Sequence, residues 1–281
     1  MRYSKLGNVL KTKSQNIWLR MVLLATVLFL YMPIVILIVF SFNDSRRNIT
    51  WQGFTLKYYE KAFLNDSLIE AFVNSLSIAL VTSFISLVLG TVTAILLWRF
   101  QFPAKTLYRG VILLPIVVPE ICMGVALLIF FNWIGWSQNL LWPSSLLKII
   151  CAHVLFCFPF VTIVVRARLG SLKKEYEEAA IDLGAGGWRV FRDIWIPYLK
   201  PSLVAGSLLS FTLSLDDFVI TFFTSGPNTV TIPIKIYSMV RFSVTPEVNA
   251  ASTILILVTV ISAWTAILLQ KDSPGRENSL W

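Results

Sequence analysis

Long apolar runs alternate with short polar segments along the whole chain. Six of these runs approach the roughly 20 residues that an α-helix needs to cross a bilayer. They are predicted over residues 19–42, 74–98, 109–131, 146–165, 202–223 and 250–269. The first is too long for the h-region of a signal peptide and ends without a small-x-small cleavage site, so it is read as a retained span, kinked at Pro33. Residues 43–72 are mixed and polar, with room for short helices near residues 56–63. Trp133, Trp136 and Trp142 mark an interfacial loop. Residues 224–248 form a second polar stretch, opened by a turn at Ser225-Gly226-Pro227-Asn228. The expected organisation is a basic N-terminus over residues 1–18, a first span over 19–42, a core of five spans over 73–270 and a tail over 271–281. Internal repeats and low-complexity segments are not evident.

One polar island, residues 170–200, is long enough to be a docking element. Leu172, Tyr176, Ala179, Ala180 and Leu183 share one helical face, which predicts a short amphipathic helix. Ser171 is placed to cap its start, and Glu175, Glu177 and Glu178 complement the positive end of its dipole. Gly184 can take the left-handed conformation that stops it. Ala185-Gly186-Gly187 makes a permissive turn, and residues 188–196 form a second short helix limited by Pro197. The lack of bulk at Ala179, Ala180 and Gly184 would let another backbone approach. An ordinary loop helix, its alanines present only for helicity, has the same pattern.

Composition agrees with the membrane reading. The chain has 281 residues, of which 56% are hydrophobic and 14% charged, with mean hydropathy +0.73; soluble domains average about 25% charged residues. A net charge of +9 raises the question of nucleic acid, and the placement of the charges answers it. The larger share of Lys and Arg falls on one side of the predicted spans: Arg2, Lys5, Lys11, Lys13 and Arg20, then Arg99, Lys105 and Arg109, then Arg166 to Lys200, then Lys271 and Arg276. The opposite side holds Arg46, Arg47, Lys57, Lys61, Lys148, Lys235 and Arg241. By the positive-inside rule both termini and the 170–200 loop are cytoplasmic, and the excess charge is a topology signal.

Catalytic chemistry finds little support. Cys122, Cys151 and Cys157 lie in apolar runs without metal-ligand spacing and are read as small buried hydrophobes. The one histidine, His153, is expected to bond between helices. There is no G-x-x-x-x-G-K-[ST] phosphate loop. Carboxylates inside spans are more informative, because each costs about 3 kcal/mol on insertion scales and so faces a bundle interior or a wet cavity. Glu120 follows Pro115 and Pro119 in the third span, and Asp216 and Asp217 stand midway along the fifth. With Phe211, Phe218, Phe222 and Phe223 nearby they suit a cation path that alternates acid with aromatic surface. Tyr237, Lys235 and Arg241 are placed near its outer mouth. Asp216 and Asp217 remain unseparated at this level. Either could instead bond a helix end or pair with Lys235 or Arg241.

Glu178-Ala179-Ala180, three residues, Gly184, nine residues, then Ile194-x-Ile196-Pro197 resembles the EAA loop of ABC-importer membrane subunits. Ile196 stands where that pattern has Leu. The Ser-Leu-Asp-Asp block within residues 211–219, residues 232–240, Pro246-Glu-Val-Asn249, Ser41-Phe42-Asn43 and Trp51-Gln-Gly-Phe54 resemble the spermidine/putrescine permease branch, so the similarity covers nearly the whole chain. The resemblance implies an all-α integral membrane protein with six transmembrane helices, the type I importer (MetI-like) permease fold and a cytoplasmic EAA coupling loop. Glu178, Ala179, Ala180, Asp182, Gly184, Ile194 and Pro197 would couple to the ATPase, and Glu120, Asp216, Asp217, Phe218, Phe222 and Tyr237 would line the substrate path. It further implies a bacterial inner-membrane location and four kinds of partner: two ABC ATPase copies, a paralogous permease subunit, a periplasmic polyamine-binding protein and membrane lipid. ATP and magnesium would sit on the ATPases, with no cofactor in this chain. Other readings are an ABC permease for iron(III) or an inorganic anion, and a secondary cation transporter, which would keep the acids but have no use for the loop.

Overall fold

Residues 3–45, 50–136, 144–226, 229–242 and 245–271 are described by a computed structural model, residues 3–16 as helical backbone only. Arg2, Arg46, Arg47, Trp142, Pro227, Asn228, Arg276 and the tail beyond Lys271 lie outside them. The described residues are helices and connections, with one isolated antiparallel bridge between Asn43 and Phe54. The chain divides into two units: residues 1–62 with 239–254, and residues 63–238 with 255–281.

In the first unit, α1 (Tyr3–Phe40) carries Pro33 in its interior and runs through the basic N-terminus without a break. Its end is fastened to the following loop by side chains. The Ser41 and Tyr59 hydroxyls are 2.6 Å apart, Asn43 donates to the Thr50 carbonyl (2.8 Å) and accepts from the Gln52 amide (2.8 Å). Phe42 stacks between Phe54 and Tyr59. α2 (Lys57–Leu64) is the short helix expected near residues 56–63.

The second unit is built on α3 (Asp66–Arg99), α6 (Ser144–Leu169) and α9 (Ile196–Leu215), which pack on one another. Asn65 caps α3 through the Leu68 amide. The buried face of α3 is small and polar (Ala71, Ser75, Ala79, Thr82, Ser86, Gly90, Ala94), whereas Leu80, Phe84, Leu89 and Val92 stand exposed. Such an inverted pattern is what a lipid-embedded bundle requires. Hydrocarbon solvates large apolar side chains as well as the protein interior does, so small residues are left to bring backbones together. At Gly90 the approach is closest: a Cβ there would stand 2.7 Å from Val161 Cβ and 2.9 Å from the Phe158 carbonyl oxygen. Gly90→Ala is therefore expected to push α3 off α6 and to cost about 1–3 kcal/mol, read as a lower melting temperature in detergent.

Among the described residues four helices are long and apolar enough to span, over Ile17–Phe40, Asp66–Arg99, Leu146–Leu169 and Pro246–Thr265, the last within α12 (Pro246–Lys271). The other two expected spans are not continuous. α4 (Lys105–Val117) and α5 (Glu120–Trp133) meet at a 107° bend. Pro119 has no amide to donate and restricts Val118, so the helix ends one residue earlier. The fifth run breaks at Asp216 into α9 and a short α10 (Val219–Thr224). Pro197 does not end the second hairpin helix. α8 (Gly187–Val190) passes into a π-helical turn (Phe191–Trp195) and straight on into α9, with Pro197 in its first turn. The proline's missing amide falls where the wider turn already leaves an unpaired position. Of the cysteines, Cys157 is buried, but Cys122 and Cys151 are exposed on the outside of the chain.

Candidate functional site

Both broken spans come to one place. Their halves α5 and α10 pack together, and Gly124 on α5 makes room for the Phe223 ring, whose nearest atom would lie 2.6 Å from a Cβ at that position. Glu120 is the first residue of α5, exposed, where its carboxylate faces the positive helix end. Asp216 is the C-cap of α9 and is also exposed.

Asp217, one residue on, has a different environment. It is buried, with Oδ2 accepting from the Thr221 amide and the Thr221 hydroxyl, both at 2.8 Å. The same oxygen lies 3.2 Å from His153 Nε2. His153 Nε2 is also 2.8 Å from Thr221 Oγ1, and Nδ1 is 2.8 Å from Ser214 Oγ. Asp217 thus starts α10 and ties it to α6 through the histidine, with no part for Lys235 or Arg241. A carboxylate that takes backbone amides in this way competes with the helical ladder, which is the physical reason the span breaks here. His153 bridges helices, as its lone position in an apolar run suggested.

The aromatic candidates do meet. The Phe218 ring lies 4.8 Å from Tyr237, on α11 (Ile232–Phe242), and 5.6 Å from Phe222, which in turn contacts Phe223 at 5.5 Å. Phe222 and Tyr237 are about half exposed. Side chains of α3 hold the backbone of the segment leading into α11: Asn74 Nδ2 donates to the Val230 carbonyl (3.2 Å) and Ser75 Oγ accepts from the Ile232 amide (2.8 Å). Exposed acids and accessible ring faces are the complementary surface for an ammonium ion.

The 170–200 stretch is a hairpin. α7 (Lys174–Asp182) starts two residues later than the amphipathic pattern indicated, because Ser171 and Leu172 complete the turn that closes α6, their amides bonding the carbonyls of Arg168 and Leu169. Lys173 is at the N-cap and Ser171 does not cap. Gly184 has φ +82°, and the amides of Gly184 and Ala185 bond the carbonyls of Ile181 (2.8 Å) and Ala180 (2.9 Å), a Schellman stop. Most of the apolar face is uncovered: Tyr176, Ala179 and Leu183 are exposed, Ala180 is half-buried and Leu172 is buried; Glu178, Ile181, Asp182, Gly184 and Pro197 are also exposed, while Ile194 is half-buried. Glu177 is the buried residue of α7. Its carboxylate pairs with Arg99 at 3.1 Å and accepts from the Trp195 indole at 3.0 Å, and Trp195 packs edge-on against Trp98. Arg168 adds a second tether, bonding the Tyr198 carbonyl and lying over the Tyr198 ring at 4.4 Å. The sequence pattern gives Glu177 only a place at the helix dipole and Arg99 one among the orienting charges, and does not join them to each other or to Trp195. The one available hint was a span ending in Trp98-Arg99 and an acid one residue before the EAA triplet.

A helical bundle with two broken spans, a carboxylate at each break, and a hairpin presenting exposed apolar side chains has the architecture of a membrane transport subunit. The chain belongs to the family of binding-protein-dependent transport system inner membrane components, whose pattern matches residues 86–271. It is 40% identical over 244 residues to the spermidine/putrescine transport system permease protein PotC of Escherichia coli, covering 87% of this chain and 90% of that one. It is 38% identical over 242 residues to the putrescine transport system permease protein PotI of the same species, covering 85% of each chain. Among solved structures, a bacterial ABC transporter involved in import of the acidic polysaccharide alginate superposes with a TM-score of 0.68 over 95% of this chain and 98% of its own, at 16% identity. That likeness establishes the fold.

Proposed function

We propose that this chain is the membrane subunit of an ATP-driven importer of polyamines. Its relatives at 40% and 38% identity are named for spermidine and putrescine transport. The observation that carries the reading is the junction of the broken spans, where Glu120 and Asp216 are exposed beside the Phe218–Phe222–Tyr237 rings. A polyamine is a row of ammonium groups separated by methylenes, so it needs acids and apolar faces in alternation. Broken helices near mid-membrane are a common way for transporters to build a substrate site.

Counting each broken run as one crossing gives six spans, with both termini and the hairpin in the cytoplasm. The hairpin, with Glu178 to Gly184 at its centre, would sit in a cleft of an ATPase, which supplies ATP and magnesium. Closure of two such ATPases would draw the hairpins together and turn the spans as rigid bodies, opening the path outward. A paralogous permease would complete the pair, and a binding protein in the periplasm would deliver the substrate.

The test is uptake of radiolabelled spermidine and putrescine in cells lacking this chain, with and without the chain restored. Restoration of energy-dependent uptake is expected, and none would remove the polyamine reading. Gly184→Val forces a branched side chain to φ +82°, a strain of roughly 1–3 kcal/mol, and should cut that uptake severalfold. Undiminished uptake in Gly184→Val would instead favour a secondary carrier, which makes no use of the hairpin.

A further inference from the structure

Away from both sites, a cavity of about 430 Å³ opens between the end of α3, the first turns of α4 and the last turns of α6. Leu97, Ile112, Leu113 and Ile163 form its walls, and Arg109 and Arg166 are its charged lining. No acidic residue lines it. The Thr162 hydroxyl, also at the wall, is spent on the Phe158 carbonyl. The neighbouring cations are committed elsewhere: Lys105 bonds the Phe100 carbonyl, Arg99 pairs with Glu177 and Arg168 holds Tyr198. The cavity also adjoins the outward face of α4, where Leu107, Val111 and Leu114 are more than half exposed.

We propose that this cavity binds an anionic phospholipid, its phosphate between Arg109 and Arg166 and its acyl chains along the apolar face of α4. Two guanidinium groups match the oxygens of a phosphate diester by paired, charge-assisted bonds. A zwitterionic headgroup would bring its ammonium into the same cationic mouth. A free phosphate would satisfy the arginines and leave the apolar walls in water, so the lipid is the better fit. Basic pockets between helices at the cytoplasmic side are a recurrent form of lipid recognition. The bound lipid would fasten α4, the first half of a broken span, to α6. Assignment to the inner leaflet rests on the orientation proposed above.

The full-length chain, purified in detergent, is to be analysed by native mass spectrometry with phosphatidylglycerol, with phosphatidylcholine of the same acyl chains, and with inorganic phosphate as competitor. Preferential retention of phosphatidylglycerol is expected. The Arg109→Gln/Arg166→Gln variant should lower it by about thirtyfold, as for two surface arginines, while Lys57→Gln leaves it unchanged. If the double variant elutes aggregated, Arg109→Gln alone, at an exposed position, should lower retention about fivefold. Equal retention of both lipids, undiminished retention in folded variants, or displacement by millimolar phosphate would overturn the proposal. So would a photo-crosslinker at Leu113 that captures a protein chain instead of lipid in the assembled transporter. An epitope inserted at Gly186 and probed from each side of the membrane checks the leaflet separately. Since retention is measured without substrate, a failure of polyamine uptake leaves this result standing.

Discussion

Asp217→Ala is expected to lower the melting temperature of the purified chain strongly, whereas Asp216→Asn leaves it nearly unchanged and lowers polyamine uptake. The two residues are adjacent, but their carboxylates have different partners. Removing Asp217 leaves the buried Thr221 amide and hydroxyl without their acceptor and takes one of two partners from His153 Nε2. Each buried donor left without its acceptor costs about 1–3 kcal/mol. Asp217→Asn keeps the shape and an acceptor oxygen, so its loss should be intermediate. Asp216 is exposed and its carboxylate caps nothing. Exposed substitutions stay within about 0.5 kcal/mol. A hydrogen bond to a charged group contributes about 1.5–3 kcal/mol, so uptake by Asp216→Asn should fall on the order of ten- to a hundredfold. Wild-type uptake by Asp216→Asn would take that carboxylate out of the substrate path. An unchanged melting temperature in Asp217→Ala would show that the histidine bridge does not hold α10.

Glu177→Ala is expected to abolish most transport while the chain stays folded. The carboxylate joins the hairpin to the end of α3 through Arg99 and to the start of α9 through Trp195. Arg99 is about half exposed, so that ion pair is screened and adds little by itself. The indole bond to a charged acceptor is the stronger of the two, about 1.5–3 kcal/mol. Losing both frees a segment held by few other contacts, and such segments open locally without global unfolding. A lever that yields does not transmit force. Glu177→Gln keeps an acceptor for Trp195 and should retain part of the activity. Glu178→Ala, at an exposed position, should act only through the proposed ATPase contact: weaker ATPase association, with the hairpin intact. Protease sensitivity within residues 170–200 separates the cases, rising in Glu177→Ala and not in Glu178→Ala. Full uptake by Glu177→Ala would refute the anchoring role.

Much of this protein is written in hydropathy alone, because a bilayer penalises every unpaired amide and so leaves a 20-residue apolar run little choice but helix. Residues 17–40, 66–99 and 146–169 are helical as the pattern requires, Gly184 stops α7 as its freedom at positive φ allows, and the EAA spacing points to the family. The breaks were not legible in the same way. Pro119 warned of one, but Asp217 breaks the other by bonding Thr221 and His153, partners that only folding brings near. The same holds for the packing of α5 on α10, for the burial of Glu177 against Arg99 and Trp195, and for which of two adjacent aspartates is exposed. Periodicity reports which medium a residue faces. It is silent on which residue of another helix stands opposite, and that is set by close approaches such as Gly90 against Val161 and the Phe158 carbonyl and Gly124 against the Phe223 ring.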